Sequence, residues 1–379
     1  MRLISLQENL KRGLNTVGHI TTKNINLPIL NNILIRAEKG NIELISTNLE
    51  IGVTQQLRGK IEEDGEFTVD SKLITEYVSL LKGDEKVKLE LVNDGLKVEC
   101  GGYKTKIKGE ASKEFPLIPV ISKKSYYRCP LLEFRKSLAS VVFAVSSNEN
   151  RAELTGVLFS FNEKNLSLVA TDSYRLAEKI VASSFFNEDE SSEEAQHKLI
   201  VPAKTAQELL RILNNWEEGD PGEDDFIKIY LSDNQIMFSF DSVELISRLI
   251  NGQYPDYKQI IPTKNQTEVV VNRQELIRAI KAAALFSKTG INDVALKFSK
   301  NKTTISSYSG ISGESKIEIS SEVNGEDNEI TINFRYLLDG LNNIEGQVVR
   351  IGLLNSNTPC LIKPEKNDDY LYIVMPIRQ

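Results

Sequence analysis

Hydrophobic and polar positions alternate along most of this chain with the two-residue period of β-strands. Turn residues such as Asn93-Asp94-Gly95 and Ser232-Asp233-Asn234 interrupt the alternation at short intervals. The pattern therefore predicts half-buried antiparallel hairpins, which fall in residues 41–57, 86–108, 156–182, 226–250, 294–320 and 347–375.

Six further segments have the longer period of amphipathic helices. Three of them begin a series of strands, at residues 6–17, 131–145 and 273–286. The other three fall between two series of strands, at residues 71–82, 204–213 and 335–344. The order helix, strands, helix, strands thus occurs three times.

The repeat is also visible in single residues. In each of three segments, a β-like run leads within three residues to a basic residue that opens a helix, namely Lys72, Lys204 and Arg335. These residues are about 130 positions apart, which is too long for a solenoid repeat and suits a whole domain. Phe115-Pro116 and Tyr254-Pro255 recur near the joins. We therefore expect three domains, at residues 1–121, 122–254 and 255–379.

The composition is that of an ordinary globular protein, with 40% hydrophobic and 26% charged residues among 379. No apolar run approaches the roughly 18 residues of a membrane span, and the first residues lack the apolar core of a signal peptide. The three cysteines, Cys100, Cys129 and Cys360, lie far apart in the sequence. This spacing favours reduced thiols, so we expect a cytoplasmic protein.

A search for catalytic chemistry finds little. The chain has no phosphate-binding glycine loop, no nucleophile elbow and no zinc-protease motif. His197 follows two glutamates, but no further Cys or His lies near enough to complete a ligand set, so a solvated loop histidine is the better interpretation. Asp172 could be a catalytic carboxylate, although a turn in which it bonds its own backbone is commoner. The sequence predicts no enzyme, no cofactor and no metal.

The charge pattern points to a different use of the surface. The net charge of −7 by itself argues against a nucleic-acid partner. Basic residues nevertheless recur at matched helix positions, and Arg12, Lys136 and Arg278 repeat in the first helix of each domain. A single charged stripe is usually a solvated face. If all the helices faced one side, however, the basic residues would form one phosphate-attracting surface.

Short motifs along the whole chain make it similar to a known family. They are Leu27-Pro28-Ile29-Leu30-Asn31-Asn32, Glu114-Phe115-Pro116, Leu154-Thr155-Gly156-Val157-Leu158-Phe159, Ala170-Thr171-Asp172-Ser173-Tyr174-Arg175-Leu176-Ala177, Tyr254-Pro255-Asp256-Tyr257 and Met375-Pro376-Ile377-Arg378. Each motif alone is weak, but their order and spacing together are specific. The chain resembles the bacterial DNA polymerase III beta subunit, the replicative sliding clamp.

This resemblance implies an α+β fold of three clamp-type domains, each with two helices packed on antiparallel sheets. It also implies a head-to-tail dimer that closes a six-domain ring around duplex DNA. Twelve helices about 10 Å apart would enclose a hole roughly 35–40 Å wide. A duplex on the order of 20 Å across fits with a layer of water, which suits sliding.

The resemblance further implies a pocket that binds short hydrophobic peptide motifs of the replicative polymerase, the clamp loader and repair proteins. Its expected residues are Leu154, Thr171, Ser173, Tyr174, Arg175, Leu176, Pro255, Ile260, Ile373, Met375, Pro376, Ile377 and Arg378. Aliphatic and Met side chains suit an apolar anchor, and the two arginines suit polar orientation. Gln259 and Gln379 depart from the family pattern, so the affinity for the motif is expected to differ.

The DNA channel and the ring seam are expected from the same resemblance. The candidate channel residues are Lys11, Arg12, Lys23, Lys72, Lys82, Arg135, Lys136, Asn148, Lys204, Arg211, Arg273, Arg278, Lys281 and Arg335, not all of which can face inward. At the seam, Thr105 and Ile107 should meet Leu285 and Phe286 of another subunit. The alternative from the same structural class is a clamp-like repeat scaffold that binds protein partners without encircling DNA.

Overall fold

A computed structural model describes residues 1–21, 25–162, 164–187, 196–216, 225–288 and 290–377. This part of the chain contains six α-helices, α1 (Gln7–Gly18), α2 (Ser71–Ser79), α3 (Leu131–Val142), α4 (Ala203–Asn214), α5 (Arg273–Ala284) and α6 (Phe334–Asn343). All six coincide with the predicted helices, and their ends differ from the prediction by a few residues. Among the residues described, no helix combines the length and the apolar character needed to cross a bilayer.

Strands alternate with these helices and occupy all six predicted hairpin regions, and further strands that the pattern does not predict lie at residues 32–38, 59–63, 125–130, 184–187 and 267–272. The first thirteen are β1 (Arg2–Leu6), β2 (Asn32–Glu38), β3 (Asn41–Thr47), β4 (Ile51–Leu57), β5 (Gly59–Glu63), β6 (Gly65–Asp70), β7 (Lys86–Val92), β8 (Gly95–Cys100), β9 (Tyr103–Glu110), β10 (Ser125–Pro130), β11 (Gly156–Phe161), β12 (Asn165–Thr171) and β13 (Arg175–Ala182). The others are β14 (Ser184–Asn187), β15 (Lys198–Pro202), β16 (Phe226–Leu231), β17 (Gln235–Phe240), β18 (Val243–Arg248), β19 (Thr267–Asn272), β20 (Asp293–Ser299), β21 (Lys302–Ser309), β22 (Gly313–Gly325), β23 (Asn328–Asn333), β24 (Val348–Leu353), β25 (Cys360–Pro364) and β26 (Tyr370–Val374).

The chain forms two compact units. One comprises Met1–Leu131, Phe185–Glu193 and Arg211–Leu249, and the other comprises Leu132–Ser184, Glu194–Leu210 and Ile250–Gln379. The first unit contains a fourteen-stranded sheet in the order β14-β10-β16-β17-β18-β4-β3-β2-β6-β9-β8-β7-β1-β5. The second contains a twelve-stranded sheet in the order β15-β11-β12-β13-β26-β25-β24-β19-β22-β21-β20-β23.

Two edge-to-edge pairings make these sheets continuous. Strand β4 pairs antiparallel with β18 in the first unit, and β13 pairs antiparallel with β26 in the second. We call the first pairing, with its linker of residues 115–121, the first joint, and the second pairing, with residues 254–260, the second joint. The linkers contain the expected domain boundaries near residues 121 and 254, which stay predictions.

Helices α2 and α6 begin in the same way. Asp70 Oδ1 accepts a hydrogen bond of 2.7 Å from the backbone N–H of Leu73, and Asn333 Oδ1 accepts one of 2.9 Å from that of Arg335. A side-chain cap of this kind satisfies an N–H that the first helical turn leaves free. Lys72, Lys204 and Arg335 are each the second residue of their helix and are exposed. The structure thus confirms the alignment of the repeats.

The helices pack their apolar stripes against the sheets. Leu10, Leu14 and Val17 of α1 are fully buried, and burial of each such side chain contributes about 1.5–3 kcal/mol. In α6, Gly340 lies so close to Tyr372 that an added Cβ would come within 2.1 Å of the ring. A side chain at position 340 would therefore push the helix away from β26.

Two loops carry the turns that the sequence suggested. Asp172 Oδ1 accepts hydrogen bonds from the backbone N–H groups of Tyr174 and Arg175, at 2.9 and 3.0 Å. This confirms that Asp172 lies in a turn in which it bonds the backbone. Residues 310–312 connect β21 to β22. No group of three or more His, Cys, Asp or Glu side chains placed to hold a metal ion occurs among the described residues.

Candidate functional site

The turn between β12 and β13 presents the central residues of the expected peptide pocket. Thr171 Oγ1 donates to the carbonyl of Arg175 at 2.6 Å, and it accepts from the N–H of Ser173 at 3.1 Å. Ser173 has a φ of 79°, a left-handed conformation that the surrounding hydrogen bonds maintain. The result is a rigid turn that leaves the Tyr174 side chain 61% exposed.

Arg175 is the most constrained residue of this region. Its guanidinium forms an ion pair with Asp172, with Nε 3.1 Å from Oδ2, and a second ion pair with Asp339. A third nitrogen, Nη2, donates to the backbone carbonyl of Phe143 at 3.0 Å. The guanidinium carbon also lies 4.7 Å from the ring centre of Tyr336, a cation–π distance. The Arg175 guanidinium is therefore fixed in position beside the turn, where the peptide pocket is expected.

Helix α6 contributes an aromatic platform that the sequence analysis did not include. The rings of Tyr174 and Tyr336 are stacked, with their centroids 6.2 Å apart and their planes 19° apart. Tyr336 and Asp339 are three residues apart and thus on one face of α6. Their spacing was visible in the sequence, but nothing in it placed that helix face beside Arg175.

Below these polar groups lies an apolar cluster. Leu176 and Ile373, from the two strands of the second joint, pack with Leu361, and Ile260 of the linker packs against them. Leu154 is also buried, at the end of a short 3-10 helix. The structure thus brings Leu176, Ile260 and Ile373 together as expected.

The linker of the second joint is anchored by tyrosines. The hydroxyl of Tyr257 donates to Glu178 Oε1 at 2.7 Å, and both residues are buried. Burial raises the pKa of Tyr257, and the hydrogen bond to Glu178 adds to the effect. Burial also raises the pKa of Tyr254. Pro255, between them in sequence, is half-buried. The linker is therefore held firmly on one side of the pocket.

The C-terminal segment lies along the pocket edge. The N–H of Met375 donates to the carbonyl of Tyr174 at 2.8 Å, and that of Ile377 donates to the carbonyl of Thr331 at 2.8 Å. Pro376 forms an isolated bridge with Ile332. The half-buried side chains of Met375, Pro376 and Ile377 therefore adjoin the turn of Tyr174. The expected pocket residue Arg378 lies outside the described residues.

A cleft in the first unit collects several of the expected channel residues. It has a volume of about 1190 Å³, and Lys11, Arg12 and Lys72 line it. All three are exposed. Arg211 also lines it, but its guanidinium donates to the carbonyls of Asn15 and Thr16, at 3.3 and 2.7 Å. Arg211 thus caps the last turn of α1 and is less available to a ligand than the lysines.

A second cleft of about 1150 Å³ lies in the second unit, and Lys136 lines it together with residues of α6 and β26. Arg273 is engaged like Arg211, since it donates to the carbonyls of Leu341 and Gly346 at 2.9 and 2.8 Å. Arg135 is half-buried. The remaining described candidates are exposed, namely Lys82, Asn148, Lys204, Arg278, Lys281 and Arg335. Lys23 lies outside the described residues.

Two strand edges are free at the expected seam. In the described residues, β9 pairs with β8 along its length and with β6 only at residues 109 and 110. Thr105 is half-buried and Ile107 is buried, so this edge offers mainly its backbone. Over residues 313–320, β22 has β21 as its only partner within the described part of the chain, an edge that the sequence pattern does not predict. Leu285 is 77% exposed, and Phe286 is half-buried.

The chain has the features of a clamp-type protein. These features are matched helix pairs, antiparallel sheets joined edge to edge, and basic residues at equivalent helix positions. Three family models match it in succession: the N-terminal domain of the DNA polymerase III beta subunit over residues 1–119, the central domain over 130–256 and the C-terminal domain over 258–378. The chain belongs to the DNA polymerase III beta subunit family.

Individual relatives agree over the full length. A beta sliding clamp of Synechococcus elongatus is 27% identical, with 100% of this chain and 99% of that protein covered. The structure of the DnaN sliding clamp of Pseudomonas aeruginosa bound to griselimycin is 27% identical and has a TM-score of 0.91. The match covers 100% of this chain and 100% of that one. The sliding clamp of Bacillus subtilis is 26% identical, also with a TM-score of 0.91, over 100% of this chain and 99% of that one. The three-domain clamp fold predicted from the sequence is confirmed.

Proposed function

We propose that this protein is a DNA sliding clamp: it encircles duplex DNA and tethers the replicative polymerase as a processivity factor. The observation that carries the proposal is the succession of three beta-subunit domains along one chain, on a fold that matches sliding clamps throughout. The same findings favour a clamp over a scaffold that does not encircle DNA. The protein acts through contact and topology, without a catalytic residue, in the cytoplasm.

The clefts and exposed helix residues form the DNA-facing surface. Lys11, Arg12 and Lys72 attract phosphates without recognising bases, because their ammonium and guanidinium groups project from helices into an open cleft. Lys136 and Lys204 act in the same way in the second unit. Contacts of this kind are independent of sequence, which a protein that moves along DNA requires.

The second joint forms the partner-binding pocket. The cluster around Leu176 and Ile373 supplies an apolar floor for a short hydrophobic peptide. Tyr174 and the fixed guanidinium of Arg175 orient the peptide, and Met375, which is bonded to Tyr174, closes the pocket beside them. Replicative polymerases, the clamp loader and repair proteins carry the motif that binds there.

Two chains close the ring head to tail. The free edge of β9 in one chain pairs with the free edge of β22 in the other, beside Leu285 and Phe286. Backbone groups on both edges are available for such pairing, and exposed apolar side chains flank one of them.

Retention on circular DNA tests the ring. The protein is loaded onto a nicked circular plasmid by a clamp loader and ATP, and gel filtration then separates bound from free protein. We expect it to remain bound to the circle and to leave after linearisation, since only a closed path prevents it from sliding off the ends. Equal retention on the two forms would contradict encirclement.

A further inference from the structure

The first joint repeats the architecture of the second, down to single hydrogen bonds. Thr47 Oγ1 donates to the carbonyl of Ile51 at 3.0 Å and accepts from the N–H of Leu49 at 3.0 Å. Asn48 Oδ1 accepts from the N–H groups of Glu50 and Ile51, at 3.0 and 2.8 Å. Thr171 and Asp172 make the same hydrogen bonds in the second joint. Residues 47–51 therefore correspond, in the same order, to residues 171–175.

The contact across the two strands is repeated as well. The N–H of Arg248 donates to the carbonyl of Glu50 at 3.0 Å, as that of Met375 donates to the carbonyl of Tyr174 at 2.8 Å. Leu49 has a φ of 75°, matching the 79° of Ser173. Leu49 thus occupies the position of a residue in the proposed peptide pocket.

The apolar floor is present in the first joint but is built differently. Gly52 occupies the position of Leu176. Gly52 pairs with Ile246 on the facing strand, as Leu176 pairs with Ile373. Ile118 of the linker fills the space above Gly52, where an added Cβ would lie 2.9 Å from its Cδ1. The linker therefore supplies the side chain that the strand lacks, and the floor is complete.

Three aliphatic side chains remain in water around this floor. Leu49 is 46% exposed, Leu117 is 92% exposed and Val120 is 96% exposed. The last two flank Ile118, whose side chain packs on the joint. Clustered apolar residues that a fold leaves exposed commonly mark a binding surface.

The polar wall distinguishes the two joints. Where the second joint has Tyr174 and Arg175, the first has Glu50 and Ile51. The first joint therefore has neither the exposed aromatic ring nor the fixed guanidinium of the second joint. Arg248, on the facing strand, and Glu50 are both exposed and oppose each other in charge. A peptide that suits this joint is aliphatic and carries no net charge.

We propose that the first joint is a second docking site, which binds an extended, uncharged aliphatic peptide segment of a partner protein. The proposal rests on the proposed peptide pocket at the second joint, whose architecture the first joint repeats. Leu49, Leu117 and Val120 would contact the peptide, and Ile118 would support it from below. One chain would then engage two partner segments at once.

Methyl NMR on the full-length protein tests this inference. The chain is labelled with ¹³C in the methyl groups of Ile, Leu and Val and titrated with the acetylated, amidated peptide Ser-Leu-Ser-Leu-Ser-Leu-Ser. In this probe every second side chain is aliphatic, so an extended backbone presents them on one face. We expect saturable shifts at Leu117 and Val120, and separate ones at Leu176 and Ile373.

A double variant assigns the shifts to the two sites. Leu117→Ser combined with Val120→Ser alters only exposed side chains, so the fold should be unaffected. It should weaken binding at the first joint by at least about tenfold and change binding at the second by less than about twofold. Shifts confined to the second joint would overturn this inference and leave the proposed function intact. Shifts at neither joint would overturn the proposed peptide pocket and the inference with it.

Discussion

At the residue scale, the proposed peptide pocket depends on how Arg175 is held. Its guanidinium satisfies two carboxylates and a carbonyl while it stacks on Tyr336. A buried guanidinium that is paired on several sides is rigid, because rotation would leave at least one partner without a hydrogen bond. The exposed ring of Tyr174 is therefore the part of this wall that a peptide can contact directly.

The peptide affinity should depend on Tyr174. Tyr174→Ser removes the exposed ring and should weaken binding of a hydrophobic polymerase peptide by roughly tenfold, through lost apolar contact. Isothermal titration measures the change. Tyr308 is 62% exposed and lies outside the pocket, so Tyr308→Ser is the matched control and should bind normally. Equal affinities for the two variants would count against the pocket assignment.

The stability of the protein should depend on pH through Glu66 of strand β6. Its carboxylate accepts a hydrogen bond of 2.6 Å from Ser112, just before the linker, and another of 3.1 Å from Arg36. The bond from Ser112 holds the pKa of Glu66 below its ordinary value of 4.5, and Arg36 contributes to the shift. Because the pKa is lowered in the folded state, the Glu66 carboxylate stabilises the protein fully above the ordinary pKa of 4.5. This stabilisation is lost as the pH falls through the lower, folded-state pKa.

Thermal melts at several pH values measure this dependence. Glu66→Gln should flatten the decline of the melting temperature below about pH 4.5, because the variant has no carboxylate to protonate. Ser112→Ala should change the slope in the same direction and by less. Identical acid slopes for the variant and the parent protein would rule out the linkage.

At the element scale, the sequence predicted the six helices well and the edges poorly. Each helix has a clear apolar stripe, and Lys72, Lys204 and Arg335 mark equivalent starts. Strand β1, in contrast, precedes α1 without a turn signal, so the sequence analysis left Arg2 to Ser5 unassigned. A strand edge remains free only if no other strand pairs with it, so its identity depends on the pairing of the whole sheet. Local alternation therefore could not identify β22 as an edge.

The same limit applies to the helix cations. Arg211 and Lys72 look equivalent in the sequence, because each is a basic residue on a polar stripe. Only the fold brings the guanidinium of Arg211 to the last carbonyls of α1. Long side chains reach groups that are distant in sequence, so a residue pattern cannot separate structural cations from DNA-binding ones.

Two variants should separate these roles. Arg211→Met should lower the free energy of unfolding by roughly 1 kcal/mol, through loss of the α1 cap, and leave the salt dependence of DNA binding nearly unchanged. Lys72→Met should barely alter stability, because its contact with Glu76 is exposed and 3.8 Å long. Lys72→Met should also make the slope of log affinity against log salt concentration shallower, by the amount that corresponds to about one phosphate contact. Urea denaturation and DNA binding at several salt concentrations measure both effects, and the reverse pattern would contradict the assignment.

At the scale of the whole molecule, the net charge of −7 and a DNA-binding role are compatible. The cleft of α1 and α2 brings together Lys11, Arg12 and Lys72, although Glu8, Glu76 and Asp241 line it too. Net charge is a sum, and a bound duplex responds to the local potential within about 10 Å. The placement of charge on the fold matters more than its total, which is why composition alone argued in the wrong direction.

Dimer formation should depend on Leu285. Leu285→Glu places a charge on a side chain that is 77% exposed, so the monomer should fold normally. Burial of that charge at the seam would weaken the dimer by at least about tenfold. Sedimentation velocity at several concentrations measures the change. Leu117→Glu, at a linker residue that is 92% exposed and belongs to neither predicted seam element, is the control and should dimerise like the parent protein.

The free edges of β9 and β22 differ from the two joints in one respect that matters for loading. At each joint, a linker of a few residues holds the two strands at a high effective concentration, so a broken pairing re-forms at once. No linker connects the edges of different chains. The closure of the ring is therefore subject to mass action, and dilution favours the open form. Of the edge-to-edge contacts, the proposed seam is the one that can part without working against a tether.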